Sequence, residues 1–480
     1  VFKVTNIFSR IPLSPRVPSW QLSAVPVAVL FVSFLLIIVF MGPTAVSEFS
    51  PWVLLGSSAL ALVLAGANGS VSRRGMALGI RRSATQILPA IPMLVCIAAL
   101  ATTWMLSGVV PTLVDYGLML LNPGWFLVTT CAVCALVSVL TGSSWSTIAT
   151  IGVAFVGIGS VMGYHPGWTA GAIISGAYFG DKVSPLSDTT VIASTCCGVD
   201  LFAHIRYMMF TTVPAMTIAL TVFAIKGLTA GGAPIEGSAE MLSGLSQSFN
   251  ITPWTLLIPL TTLTLIALKV NTLAVLAASA LLGAGGALLF QPGLGIGLVD
   301  IISEMWSGHA SATGIPAVDQ LCSTGGILGI MPVVFLVSSA LVFGSVMIGT
   351  GMLASLTAAL TRRLRRPTSI VAATVASGLT LNATTADQYL SIIIGGNMYR
   401  TLFRRHGMEP RLLSRTLEDS ISATSPLIPW SSCGVTQSSV LGVATATYLP
   451  FCIFNYLTPL MALVMIHTGF KIRRATLAAR

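Results

Sequence analysis

The chain has 480 residues, of which 54% are hydrophobic and only 8% charged, with a formal net charge of +10. A soluble domain carries roughly 25% charged residues, so a soluble globular enzyme, a disordered chain and a nucleic-acid-binding module are all excluded despite the basic balance. Runs of about 20 apolar residues, each long enough for a hydrocarbon core of roughly 30 Å, predict an all-α polytopic membrane protein.

An N-terminal segment, 1–83, holds Lys3, Arg10 and Arg16 before apolar runs at 24–41 and 51–67. The first run exceeds the roughly 7–15 residues of a signal-peptide core and reads as a retained span. Residues 84–226 follow with a span at 84–107, a hairpin with a polar centre at 125–163, an interrupted span at 168–198 and a span at 207–226. A linker, 227–325, carries spans at 251–268 and 271–290. Residues 326–468 repeat the earlier order: a span at 326–351, a hairpin at 368–398, an interrupted span at 412–448 and a final span at 449–468. The tail is 469–480.

With both termini placed in the cytoplasm, Lys and Arg collect on the inner side as topology requires. The inner loops receive Arg73, Arg74, Arg81 and Arg82, then Arg206 and Lys269, then Arg362 to Arg366, Arg400 to Arg415 and the tail cations. Only Lys182, in an interrupted span, and Lys226, at an outer edge, fall elsewhere. The outer loops hold acids such as Asp115, Glu236, Asp300 and Asp319 and no Lys or Arg. The partner implied by the positive charge is an anionic inner leaflet, not a nucleic acid. On this topology His204 and His406 are interfacial, and Asp115 and His165 are solvated in outer loops. Most cysteines lie in apolar runs, where free Cys acts as a small hydrophobe. Cys131 and Cys134 share a helix face but lack zinc-site partners, so no cofactor or resident metal is expected.

Four polar islands interrupt the apolar pattern. Thr141-Gly142-Ser143-Ser144 and Gly180 to Thr190 lie in the first half, Asn382 to Gln388 and Thr424 to Ser432 in the second. The triplet Ser-Pro-Leu occurs at 184–186 and 425–427, an offset of 241 that also carries Thr141 onto Asn382 and Ser143 onto Thr384. The topology starts one unit inside and the other outside. An inverted repeat with two re-entrant hairpins and two broken transmembrane helices is thus expected, the architecture of many secondary transporters. Pro185, Pro426 and Pro429 remove backbone donors and break helices. Backbone groups freed at membrane depth need protein or a watery cavity around them, and the Thr, Ser and Asn of the islands supply oxygens for such groups or for a cation.

An Asp at a helix centre costs about 2.5–3.5 kcal/mol to insert, so acids in the islands are functional candidates. Asp181 and Asp188 flank the first break and together would hold either a proton or Na+. Asp181 has a competing use as the ion-pair partner of Lys182. Asp387 sits at the second hairpin tip. Glu418 and Asp419 are candidates for a gate or proton relay, or for pairing with Arg411 and Arg415.

The stretches GAYFGDKVSPLSDTT (176–190), GVDLFAHIRYMMFTT (198–212), ADQYLSIIIGG (386–396), LSRTLEDSISATSPLIPWSSCG (413–434) and TWMLSGVVPTLVDYGL (103–118) closely resemble the NhaC family of Na+/H+ antiporters. The resemblance covers about 84–468 and implies the ion transporter superfamily fold, a homodimer with an elevator-like moving domain, and Na+ and H+ as cargo. On that pattern Asp181, Ser184, Asp188 and Thr189 match a first cation-site motif. Asn382, Thr384, Asp387, Ser425 and Trp430 match a second, with Thr141, Ser143 and Ser144 completing the first tip. Val191 and Ser431 stand where family members commonly carry Asn. The expected function is Na+ (or Li+) exchange for H+ across a bacterial plasma membrane. Because the resembled family includes malate/lactate exchangers, an organic substrate is the alternative.

Overall fold

The computed structural model describes residues 17–469 except 43–44, 72–73, 78–79, 82–83, 85–89, 230–237, 269, 316–317, 320–321, 362–363 and 365. Expectations about Lys3, Arg10, Arg16, Arg73, Arg82, Glu236, Lys269, Arg362, Arg363, Arg365 and the tail cations therefore lie outside the described residues. Among the described residues the regular structure is helical, with no strand. Among these residues seven helices are long and apolar enough to cross a membrane, or up to nine if each of two bent pairs is one span. The protein is a polytopic membrane protein.

Helices α1 (Trp20–Met41) and α2 (Ala45–Ala67) come first. Next, α3 (Ala90–Leu106) bends by 68° at Gly108 into α4 (Val109–Leu120). Asp115 is therefore half-buried on a helix and not in a solvated loop; the apolar run VVPTLVDYGLML has the composition of a helix and Gly108, with φ +77°, takes the bend. Then α5 (Phe126–Thr141) is followed by α6 (Ser144–Val161), and α7 (Pro166–Val183) and α8 (Asp188–Cys197) are the halves of the first broken helix. A long helix, α9 (Leu201–Thr229), closes this part, and α10 (Leu257–Ala267) and α11 (Thr272–Phe290) form the linker pair. The second part holds α12 (Met331–Gly349), α13 (Met352–Thr361), α14 (Pro367–Thr385) and α15 (Gln388–Arg405). It ends with α16 (Pro410–Leu417), which runs on through a π turn at Glu418–Ser422, then α17 (Ser432–Leu441) and α18 (Ile453–Thr468).

The boundaries of these elements recur at a spacing of 244, three more than the Ser-Pro-Leu triplets suggest. Gly142 and Ala386 both end a helix in the left-handed region; Ser143 and Asp387 are both N-caps; Pro166 and Pro410 are both first helical residues, where a missing N–H costs nothing. Ser187 and Ser431 cap α8 and α17, and Gly198 and Gly442 end them. In this register Pro185 answers to Pro429, Asp181 to Ser425 and Leu186 to Trp430. The triplets mislead because one follows the end of α7 while the other forms a 3-10 turn before the break.

Packing is tightest between α5 and α7. A Cβ on Gly176 would stand 2.1 Å from the Cys131 carbonyl oxygen, and one on Gly180 2.3 Å from that of Ala135. Spaced by four, these glycines line one helix face and let two backbones touch, and Ser138 donates to the Ala177 carbonyl at 2.6 Å. Gly176→Ala is expected to cost about 1–3 kcal/mol through overpacking. Gly285→Ala, whose Cβ meets nothing within 4 Å, serves as the neutral control; equal melting temperatures in detergent for the two variants would refute the close approach.

Candidate functional site

The two unwound segments and the two helix turns meet in the interior. Asp181, one turn from the end of α7, accepts a hydrogen bond from the Ser144 hydroxyl at 2.8 Å. The Ser144 backbone N–H and the Ser187 hydroxyl face the same carboxylate, and Asp188 is near enough to act on it electrostatically. Asp181 thus lies against the N-terminus of α6, whose partial positive charge stabilises an anion. Asp188 opens α8 from the other side of the break and is exposed, as are Val191 and Thr195 on the same helix face. The break is open to the surface at Asp188 and closed at Asp181.

The second tip approaches from α14 and α15. Asp387 caps α15 by accepting from the Leu390 N–H at 2.8 Å, and the Thr385 and Ser391 hydroxyls bond each other at 2.8 Å beside it. Ala386, the only non-glycine residue with positive φ among the described residues, is held by the Ser432 N–H on its carbonyl at 2.8 Å. Such a conformation costs an alanine roughly 1–2 kcal/mol, so the tip is fixed by the segment it touches. Tyr389 is the common neighbour of the two halves, with Asp181, Asp188, Asp387 and Cys433 all acting electrostatically on its hydroxyl. Below it Gln437 donates to the Tyr178 hydroxyl at 3.0 Å. The sequence reading missed Tyr389 and Tyr178; the position of Tyr389, two residues after Asp387 in the second polar island, was the available signal.

Other expected residues serve the scaffold. Ser184 donates to the Val139 carbonyl at 2.8 Å, Thr189 bonds Ser187 at 3.0 Å, and Thr384 donates to Thr380 at 2.7 Å. The Thr141 oxygen accepts from the Ser143 N–H at 3.2 Å, and Ser143 accepts from the Ser146 N–H. Asn382 donates to the Ile421 carbonyl at 2.9 Å and leaves its own side-chain oxygen unpaired, as does the hydroxyl of Ser425. Trp430 donates from Nε1 to Ala383 at 2.7 Å, and its ring stacks on Phe34 with centroids 4.4 Å apart. An indole N–H is a donor only, so this side chain presents no lone pair to a cation. Ser431, which accepts from the Gly434 N–H and donates to Ser425, is committed to its own turn.

A second buried cluster joins the broken helices. Lys182 Nζ lies 2.5 Å from Asp419 Oδ1, and both side chains are buried. Lys182 therefore pairs across 237 residues and not with its neighbour Asp181, because successive side chains on a helix do not face each other. Thr211 also donates to Asp419 at 3.2 Å, and Arg415 Nε stands 3.6 Å from Asp419 Oδ2, its guanidinium 4.9 Å from the Tyr207 ring centroid. Arg415 is fully buried and so is not an inner-face cation; Arg411 pairs with Glu409 instead of the π-turn acids. His204 is likewise buried and bonds the Ser414 hydroxyl at 2.8 Å, contrary to its expected interfacial place. Asp319, between α11 and α12, accepts from Thr313, Ser311 and Gly314, which hold its carboxyl below the usual range. Among the described residues no group of three His, Cys, Asp or Glu forms a metal-type cluster.

A family model for the Na+/H+ antiporter family matches residues 176–470, which includes both breaks and the second tip. The Na+/H+ antiporter NhaC of Alkalihalophilus pseudofirmus is 38% identical over 79% of this chain and 82% of its own. The arginine/ornithine antiporter ArcD of Halobacterium salinarum is 36% identical over 82% of this chain and 81% of its own. A malate-2H+/Na+-lactate antiporter of Bacillus subtilis is 35% identical over 80% and 81%. The chain belongs to the Na+/H+ antiporter family, among relatives of the NhaC type.

Proposed function

We propose that the protein exchanges Na+ or Li+ for H+ by secondary active transport across a bacterial plasma membrane, and that cation and proton compete for the negative charge of Asp181 and Asp188. The observation that carries this reading is a carboxylate buried at the end of a half-helix, with hydroxyl ligands and an exposed acid on the far side of the break. A bound cation there satisfies charge that is costly at membrane depth, and so does a proton. The matching boundaries at 244 support two inverted units, each with a hairpin and a broken helix, that alternate access by an elevator-like movement within a homodimer whose termini face the cytoplasm. Glu418 and Asp419 act as relay or gate beside this site, while Trp430, Ser184 and Thr384 position its backbone.

The test is a pH-gradient assay in vesicles comparing Na+, Li+, K+, malate and lactate. Na+ and Li+ are expected to collapse the gradient and K+ to leave it. Asp188→Asn should weaken apparent Na+ affinity about fivefold, since two unit charges about 4 Å apart are worth ~1 kcal/mol in water-like surroundings. Undiminished Na+-driven proton movement in folded Asp188→Asn and Asp181→Asn proteins together would rule the site out.

Exchange of an organic solute is a second reading, favoured by the open N-terminus of α8. Helix N-termini bind carboxylates, and Val191 leaves an apolar, exposed position one turn from Asp188. The substrates in the names of two relatives, malate and lactate in one and arginine and ornithine in the other, all bear a carboxylate. A gradient that responds to malate, lactate or arginine and ignores Na+ selects this reading.

A further inference from the structure

Of the two acids assigned to the relay or gate, one stands without a hydrogen-bond donor. Glu418, first residue of the π turn, is fully buried, and neither of its carboxylate oxygens receives a hydrogen bond of good geometry; the Ser422 hydroxyl faces it without closing one. The neighbouring buried acids are served differently. Asp419 receives Lys182 and Thr211, Asp181 receives Ser144, and Asp387 receives the Leu390 N–H. An ionised carboxylate stripped of donors is far costlier to bury than a neutral carboxyl.

The local charges sharpen this. Lys182 and Asp181 of α7 and Asp419 of the same turn lie within electrostatic reach of Glu418, and Arg415, one turn earlier, leans on Asp419. From α9 come His204, bonded to Ser414, and Tyr207, under Arg415. On α8 and α15 stand Asp188 and Tyr389 at the break and Arg400 further along; α14 carries no charged side chain, and α18 only His467 in its last turn. Within reach of Glu418, with all three acids ionised, the carboxylates of Asp181, Glu418 and Asp419 face the two cations Lys182 and Arg415. One negative charge is left over, the amount that one monovalent cation cancels.

We propose that the exchanged proton rides on Glu418 while the exchanged cation rides on Asp181, the two being mutually exclusive because a bare Asp181 carboxylate within electrostatic reach disfavours a second ionised acid at Glu418. This rests on the exchange reading above and divides its single charge between two seats. When Na+ settles at Asp181, the Glu418 carboxyl gives up its proton to water at the open break: aqueous Na+ and protonated Glu418 become bound Na+, ionised Glu418 and aqueous H+. Glu418 and Asp419 then balance Lys182 and Arg415. When Na+ leaves, the uncompensated Asp181 restores the excess charge and Glu418 takes up a proton again. The two breaks are held together by Lys182 and Asp419 in either state.

The experiment uses the full chain in detergent and in vesicles, with Na+ as the probe. In Glu418→Gln, whose neutral amide stands in for the protonated carboxyl, Na+ binding followed by thermal shift should weaken about tenfold and lose most of its pH dependence, and proton release per bound Na+ in weak buffer should fall roughly tenfold or more. At Na+ concentrations that saturate the weakened site, exchange of radioactive Na+ for Na+ should continue while Na+/H+ exchange stops. In the unmutated protein, adding Na+ should remove the infrared carbonyl band of a protonated carboxyl, and that band should be missing from Glu418→Gln. Undiminished proton release from the variant overturns the proposal, and so does an unmutated protein with no Na+-sensitive carboxyl band, a reading that holds even when the variant does not fold. If instead Asp181→Asn binds Na+ as before, the exchange reading itself has failed, whatever Glu418 does.

Discussion

Lys182→Met is expected to be the most destabilising single change in the molecule's interior. It strands Asp419, whose carboxylate keeps only Thr211 and an Arg415 nitrogen at 3.6 Å. Removing one member of a buried pair typically costs about 3–5 kcal/mol, because the survivor is left charged and dry. The remaining arginine puts the expectation at the lower end of that range. Adding Asp419→Leu should recover most of the loss, since an apolar pair of similar volume is often no less stable than the ions it replaces. Melting temperatures of the single and double variants in one detergent check this. A double variant no more stable than Lys182→Met would mean that the pair contributes more than charge neutrality.

Asp181→Asn is expected to remove function while sparing the fold. The amide retains an oxygen for the Ser144 hydroxyl, so the contact between α6 and α7 survives. What disappears is a unit negative charge, worth about 4 kcal/mol against a cation at 4 Å with an effective dielectric constant near 20, or roughly a thousandfold in affinity. Na+-driven proton movement should therefore fall to background in vesicles that contain folded protein. Asp181→Glu, which restores the charge with a longer stem, should recover part of it. Activity within a fewfold of the unmutated level in Asp181→Asn would remove Asp181 from the ion path.

These two residues also show what was legible before any coordinates. The spans, the breaks and the polar islands announce themselves, because charge at membrane depth is rare and proline has few tolerated positions. Asp181 and Asp188 could be singled out on that ground alone. Lys182 was visible too, but its partner was not. Sequence proximity pointed to Asp181, whereas helical geometry turns adjacent side chains about 100° apart and sent the ammonium to Asp419 on another helix. The offset read from the triplets differs by three residues from the spacing at which the helix boundaries recur. Identical letters in the Ser-Pro-Leu triplets outweighed the quieter signal of caps and helix-starting prolines, which carry the physical constraint. Trp430 was expected beside a cation because it matched a motif; its nitrogen is a donor only and is taken by Ala383, and its ring is stacked on Phe34.

That tryptophan has a wider meaning. Phe34 lies flat against it and Phe31 meets its edge at 5.8 Å, both from α1, a helix outside the segment matched by the family model. Phe31 and its α1 neighbours Leu35 and Val39 are each more than half exposed. One of the rings that cover Trp430 is thus itself part of the outer surface of α1. Any displacement of Trp430 must drag α1 along or slide one ring across another, which ties the position of this turn to a helix that the family segment does not contain.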